Sequence, residues 1–162
     1  MEDADYCSAP KDVALFPFVT ESLRKLKAHN YVMIMVTNQS GVGRGYFTWE
    51  QYRAVHAEVL RQIGEPLIDA TYVCPDPPGA DSTCRKPAPG MVLQGAREHN
   101  IDLRRSIFIG DKEIDVRCGH NAGIKAIRVR TGFDKNTIDS SADWIAEDFS
   151  EATEIVLTKF AG

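Results

Sequence analysis

Apolar residues along this chain fall alternately into short continuous runs and into helical spacing, and that alternation predicts the architecture before any chemistry is considered. Residues 31–36 (YVMIMV) are an apolar run between polar flanks, the pattern of a strand buried on both faces, ending at Thr37-Asn38. Before it, residues 18–29 put Val19, Leu23 and Leu26 on one helical face with Lys25 and Lys27 elsewhere, and Pro17 suits an opening turn. Thr48 with Gln51 three residues on is a capping-box pair. Tyr52, Val55, Val59 and Ile63 continue an amphipathic helix that Gly64 can close. Residues 70–74 predict a second strand.

Prolines at 75, 77, 78, 87 and 89 make residues 75–89 an extended loop, because proline lacks the N–H that regular structure needs. Helical spacing resumes over 90–98. An apolar strand over 106–109 ends in Gly-Asp, a helix runs to Ala122-Gly123, strands follow at 126–129 and near 144–146, and a helix over 151–159 closes the chain. Repeated strand–helix alternation predicts an α/β fold, a mostly parallel sheet with helices on both faces, as a single domain over 1–162. In such folds ligands sit beyond the carboxyl ends of the strands, where Thr37-Asn38, the loop after Cys74 and Asp111 all fall.

Composition narrows the function classes. With 162 residues and 43% hydrophobic content, one core can bury about 70% of the surface the unfolded chain exposes. A net charge of -4 argues against nucleic acid or anionic membrane as a general partner, since either needs a basic face. No stretch approaches the length of a membrane span and residues 1–5 are acidic, so the cytoplasm is the default location. Cys7, Cys74, Cys84 and Cys118 form no CxxC pair and are expected as reduced thiols, a Cys74–Cys84 bridge being the alternative that a reducing compartment disfavours.

Three loci carry candidate chemistry. Asp111, with Asp115 four residues on, places two carboxylates at a strand-to-helix junction, suited to Mg²⁺, though each alone reads equally as a first-turn acid. Lys86 between Arg85 and Pro87 offers an ammonium on a stiffened loop for holding phosphate, and alone is an ordinary surface lysine. Thr37-Asn38-Gln39-Ser40-Gly41 offers a hydroxyl, amides and backbone N–H groups to an anion, and alone is a turn. Their convergence at the strand ends is what favours one phosphate site.

The strings Thr37-Asn38-Gln39-Ser40-Gly41-Val42-Gly43-Arg44-Gly45, Cys84-Arg85-Lys86-Pro87-Ala88-Pro89-Gly90-Met91 and Gly110-Asp111-Lys112, with Asp5-Tyr6, Val129-Arg130-Thr131-Gly132 and Ala142-Asp143-Trp144, resemble the haloacid dehalogenase superfamily. Within it they are similar to the D-glycero-D-manno-heptose 1,7-bisphosphate and histidinol-phosphate phosphatases. The resemblance implies that Thr37 and Asn38 hold the transferring phosphate, with Gln39 beside them. It implies that Lys86 orients the phosphate, that Asp111 with Asp115 binds Mg²⁺, and that Arg44 and Arg85 grip the sugar or its second phosphate. The expected function is a Mg²⁺-dependent hydrolase of phosphate monoesters of the sugar-phosphate kind; the alternative is an inactive phosphate-binding regulatory protein.

Two features depart from that pattern. The family opens with a central strand ending in Asp-x-Asp-Gly-Thr, whose first Asp attacks phosphorus. No counterpart stands in this sequence, which leaves Glu2, Asp3 or Asp5 as substitutes on an acidic terminus and implies a weakened or rerouted mechanism. The implied gap is filled by residues 13–16 (VALF), by closure of the flanking strands, or by a second copy, so a homodimer is expected, with domain swapping as one route. Zinc-bearing members carry Cys-x-His and Cys-x-Cys, where this chain has Cys74, Asp76, Ser82 and Cys84, and no zinc is expected. His29, His56, His99 and His120 read as surface or helix-end residues.

Overall fold

The structure, a computed structural model, describes residues 7, 9–64, 66–131 and 139–160. Its longest helix, α3 (Trp49–Ile63), begins where the sequence signals it: Thr48 Oγ1 accepts from Gln51 N, Gln51 Oε1 accepts from Thr48 N, and Gly64 stops the helix at φ 80°. Upstream, α1 (Val19–Ala28) buries Leu23 and Leu26. The following strand, β1 (Ile34–Asn38), starts three residues later than the apolar run does. Tyr31 N is spent on Leu26 O, closing α1 through Asn30 at φ 62°, and Met33 N bonds the Asp69 carboxylate, so that of Met33 only the carbonyl, accepting from Asp69 N, reaches the neighbouring backbone.

β2 (Ala70–Cys74) pairs parallel with β1, from Ile34 opposite Ala70 to Asn38 opposite Cys74. Between β1 and α3 the chain makes a one-turn helix, α2 (Ser40–Gly43), where the sequence suggests only a turn. Gly43 allows it, because a Cβ there would overlap the Pro75 carbonyl. Residues 75–89 form the expected irregular loop, and α4 (Gly90–Glu98) lies on β2, its Gly95 leaving room for the Tyr72 ring.

The second half builds a three-stranded parallel sheet, β3 (Ile107–Gly110), β4 (Lys125–Val129) and β5 (Trp144–Ala146), in the order β3-β4-β5. α5 (Glu113–Asn121) covers β3 and β4, and Gly123 at φ 77° turns the chain into β4. α6 (Phe149–Lys159) begins two residues before the periodicity suggests, since Asp148 caps it by accepting from Glu151 N.

Among the described residues β1 pairs only with β2 and β3 only with β4, so the strands form two sheets joined by side chains. Tyr31 and Met33 pack against the cluster of Leu26, Ile127, Val129, Ala152 and Val156, and Val36 packs against that of Phe108, Val116 and Ala126. Each fully buried aliphatic side chain there contributes about 1.5–3 kcal/mol. The expectation that residues 13–16 fill the space between β1 and β3 is corrected. They lie against α3, where Gln62 donates to Val13 O and accepts from Leu15 N, and Leu15 joins Leu23, Ile63 and Leu67. No described helix is long and apolar enough to cross a membrane.

Candidate functional site

Parallel strands of one hand bring their carboxyl ends to one side, and there Asn38 ends β1, Cys74 ends β2 and Gly110 ends β3. The loop carrying Arg85 and Lys86 is drawn onto the end of β1 by one side chain. The Asn38 amide accepts from Lys86 N at 3.0 Å and donates to Lys86 O at 3.2 Å. The amide thereby serves as a clip for Lys86, and its second N–H proton remains for another acceptor. The Lys86–Pro87 peptide is cis.

The Lys86 ammonium is thereby carried between β1 and α5. It lies 2.6 Å from Asp115 Oδ1 and donates to Val36 O at 3.4 Å. The contact with Oδ1 is an ion pair: no aligned hydrogen bond reaches that oxygen. Both side chains are nearly closed to solvent, Lys86 at 12% exposure and Asp115 at 6%, so removing one partner would strand a buried charge at about 3–5 kcal/mol. Asp115 Oδ2 accepts from Lys112 N at 3.1 Å. One Asp115 oxygen thus faces an ammonium and the other accepts from an amide, so the residue expected as a second Mg²⁺ ligand is also the counter-ion of Lys86. Gly110 permits this approach, since any Cβ there would overlap the Asp115 side chain.

Asp111 differs from its neighbour. Burial raises the pKa of its carboxyl above the ordinary value, the Asp115 charge adds to that, and its own backbone, Lys112 and Lys86 oppose the rise. Among the described residues no side chain hydrogen-bonds it. A half-buried carboxylate held at a cost, beside the Lys86 ammonium, is suited to a hard divalent cation. At the end of β1, Gln39 Nε2 donates to Thr37 Oγ1 at 3.0 Å, which leaves the Thr37 hydroxyl proton to be donated elsewhere.

Two cavities flank this cluster. One, of about 340 Å³, is lined by Thr37, Asn38, Gln39 and Lys112 with Met35, Tyr52 and His56. The other, of about 440 Å³, is lined by Arg85 and Lys86 with the Pro78–Ala80 turn, Pro87 and Ile114. Arg85 also donates to Asp76 O at 2.9 Å. Arg44, expected beside the substrate, lines neither cavity and sits 5.8 Å over the Tyr46 ring. His29, His99 and His120 stand at helix ends as expected. His56 does not: it stacks on Tyr52 at 5.9 Å, and burial lowers its pKa.

Cys74, Asp76, Ser82 and Cys84 do come together, with the ligand atoms of Cys74, Asp76 and Cys84 all within 4.8 Å of one another. The expectation of reduced thiols is corrected here, because Cys74 and Cys84 form a disulfide with Cα atoms 5.6 Å apart. Two sulfurs joined to each other present no thiolates, and the set does not fit zinc. Glu2, Asp3 and Asp5, the acids named as substitutes, lie outside the described residues, as do Tyr6 and Gly132.

The sequence shows no sign of the Asn38 clip, the Lys86–Asp115 pair or the role of Glu113. Glu113 accepts from the hydroxyls of Ser140 and Ser141 and lies 3.6 Å from the buried Arg128, tying the start of α5 to β4 and to the segment before β5. Only the spacing of Gly110, Asp111 and Asp115 hinted that this junction matters.

A family described as HAD-hydrolase-like matches residues 83–152. The chain is 34% identical to the D-glycero-D-manno-heptose-1,7-bisphosphate 7-phosphatase of Thermosynechococcus vestitus, the match covering 99% of this chain and 91% of that protein. It is 32% identical to a D-glycero-beta-D-manno-heptose-1,7-bisphosphate 7-phosphatase of Helicobacter pylori, covering 95% and 90%. Its fold superposes with a TM-score of 0.86 on the crystal structure of D,D-heptose 1,7-bisphosphate phosphatase from B. bronchiseptica complexed with magnesium and phosphate, at 27% identity over 98% of this chain and 92% of that one.

Proposed function

This chain belongs to the HAD-like hydrolases, in the family of the D-glycero-D-manno-heptose-1,7-bisphosphate 7-phosphatases, and on that premise we propose that it is a Mg²⁺-dependent phosphatase of sugar phosphate monoesters. The observation that carries the reading is the Lys86 ammonium, fixed by Asp115 and by the Asn38 clip beside an Asp111 carboxylate that no side chain among the described residues hydrogen-bonds.

In this reading the Thr37 hydroxyl, turned outward by the Gln39 amide, donates to a phosphoryl oxygen. Lys86 neutralises charge on the same group without having to reorganise, because its position is set before substrate arrives. Asp111 would hold Mg²⁺, which when bound supplies further neutralisation of the phosphoryl oxygens. Arg85 faces the larger cavity and suits a second anionic group, so a sugar bisphosphate is the preferred substrate class. Among the described residues these groups hold, orient and neutralise the phosphoryl group; the attacking group is not one of them. The edges of β1 and β3 that no described residue pairs support a homodimer as the assembly.

Turnover of p-nitrophenyl phosphate with Mg²⁺ tests the reading. Asp111→Ala and Lys86→Ala should each lower kcat/KM by about 10²-fold or more. Equal rates in wild type and both variants would end it.

A further inference from the structure

The loop that presents Arg85 and Lys86 is closed covalently by the Cys74–Cys84 bond. We propose that the Cys74–Cys84 pair is a thiol–disulfide clamp that sets how firmly this loop is held over the phosphate site. The proposal rests on the phosphatase reading for its consequence and on the following geometry for its existence.

Cys74 is the last residue of β2, fully buried, and its carbonyl accepts from Gln39 N at 2.7 Å, beside Thr37. Cys84 directly precedes Arg85 and is partly exposed. The bond therefore ties the strand end that supports Gln39 to the root of the two cations. Ser82 sits over both sulfurs, its Oγ 3.6 Å from Cys74 Sγ and 3.4 Å from Cys84 Sγ, and it accepts from Arg85 N at 3.0 Å. Asp76, which holds the Arg85 guanidinium through its backbone carbonyl, has Oδ2 3.5 Å from Cys84 Sγ. A reduced Cys84 thiol thus finds an acceptor already in place, so both oxidation states are accommodated.

Exchange follows from the exposures. A dithiol attacks as thiolate at the sulfur of Cys84, the less buried of the two residues, the S–S bond breaks, and Cys74 leaves and takes up a proton. The second thiol of the reagent then displaces Cys84, which is likewise protonated. The dithiol supplies two electrons and two protons and departs as its cyclic disulfide; a low-molecular-weight disulfide reverses the step. Reduction leaves the Asn38 clip intact, so the loop stays docked but loses its anchor next to Arg85.

Thiol counting and kinetics on the whole chain test this. Without reductant, the denatured protein should label at two cysteines, Cys7 and Cys118, and after dithiothreitol at all four. Passing from the first state to the second should lower kcat/KM about 10-fold, as expected for a small displacement of a phosphate-holding group. The Cys74→Ser/Cys84→Ser variant should sit at the reduced value and ignore dithiothreitol. The rise in Tm produced by inorganic phosphate with Mg²⁺ is read in parallel, so that an inert enzyme still reports on the clamp. A phosphate shift that shrinks on reduction supports the clamp even if no turnover is found, and the phosphatase reading alone would then fail. Four reactive thiols in the untreated protein, stoichiometric metal lost on mutating the two cysteines, or kinetics and phosphate shift both unchanged by reduction would overturn the proposal.

Discussion

Gly110→Ala puts one methyl group where the structure leaves no room for it. A Cβ on Gly110 would stand 2.6 Å from Asp115 Cγ and 2.7 Å from its Oδ2, against the 3.4 Å at which ordinary contact begins, so the carboxylate must retreat by about 0.8 Å. That carboxylate is buried and is the counter-ion of Lys86 at 2.6 Å. Stretching the pair by the same 0.8 Å weakens the attraction by about 1.5 kcal/mol at an effective dielectric of about 20. Overpacking adds about 1–3 kcal/mol. For a chain of this size the sum corresponds to a Tm lowered by roughly 5–15 °C. If Lys86 holds phosphate as proposed, displacing its ammonium by close to 1 Å should lower kcat/KM by about 10²-fold. Aryl phosphate kinetics with Mg²⁺ and differential scanning calorimetry measure the two effects. Gly123→Ala is the control: it has φ 77° and open space around its Cβ, so it should destabilise through backbone strain by about 1 kcal/mol and leave kcat/KM unchanged. Gly110→Ala with wild-type kcat/KM, or with a Tm no lower than that of Gly123→Ala, would refute the account of Asp115.

Two further outcomes are expected. Burial and the Asp115 charge raise the folded pKa of Asp111, so the metal-free native state keeps a proton that the unfolded chain has lost, and stability contributed at this group falls as pH rises from the ordinary carboxylate value through the raised one. Because a protonated carboxyl cannot hold Mg²⁺, the Tm increase caused by Mg²⁺ should grow across that same window; a shift that is flat or shrinks with rising pH between about 4 and 7 would count against Asp111 as the metal ligand. Light scattering at micromolar concentration should give a dimer mass, and a stable monomer would remove the assembly proposed from the edges of β1 and β3 that no described residue pairs.

Where structure is local, the chain announces it. β2, α4 and β5 occupy the residues their apolar patterns mark out, and Thr48, Gln51 and Gly64 set both ends of α3 through bonds made within four residues. The same rule accounts for the misplacements. β1 begins late because Tyr31 and Met33 bond to Leu26 and Asp69, and α6 begins early because Asp148 caps it. Residues 13–16 are apolar enough for a strand, yet Gln62, far along the chain, takes their backbone groups instead. The candidate site was legible as residue types: Thr37, Lys86 and Asp111 do converge at strand ends.

Periodicity, caps and three short strings thus determined an alternating parallel fold and a candidate phosphate site beyond its strand ends. The tertiary structure alone decided which donors and acceptors remain available. Asn38 clips the Lys86 backbone 48 residues away, Asp115 pairs with the Lys86 ammonium, and Cys74 bonds Cys84, while among the described residues no side chain hydrogen-bonds Asp111 and the Thr37 hydroxyl has only Gln39 as donor. The physical reason is range. Helix and strand signals arise from neighbours whose geometry the covalent chain imposes, whereas a carboxylate becomes a metal ligand or a counter-ion according to which charge packing brings within about 3 Å of it.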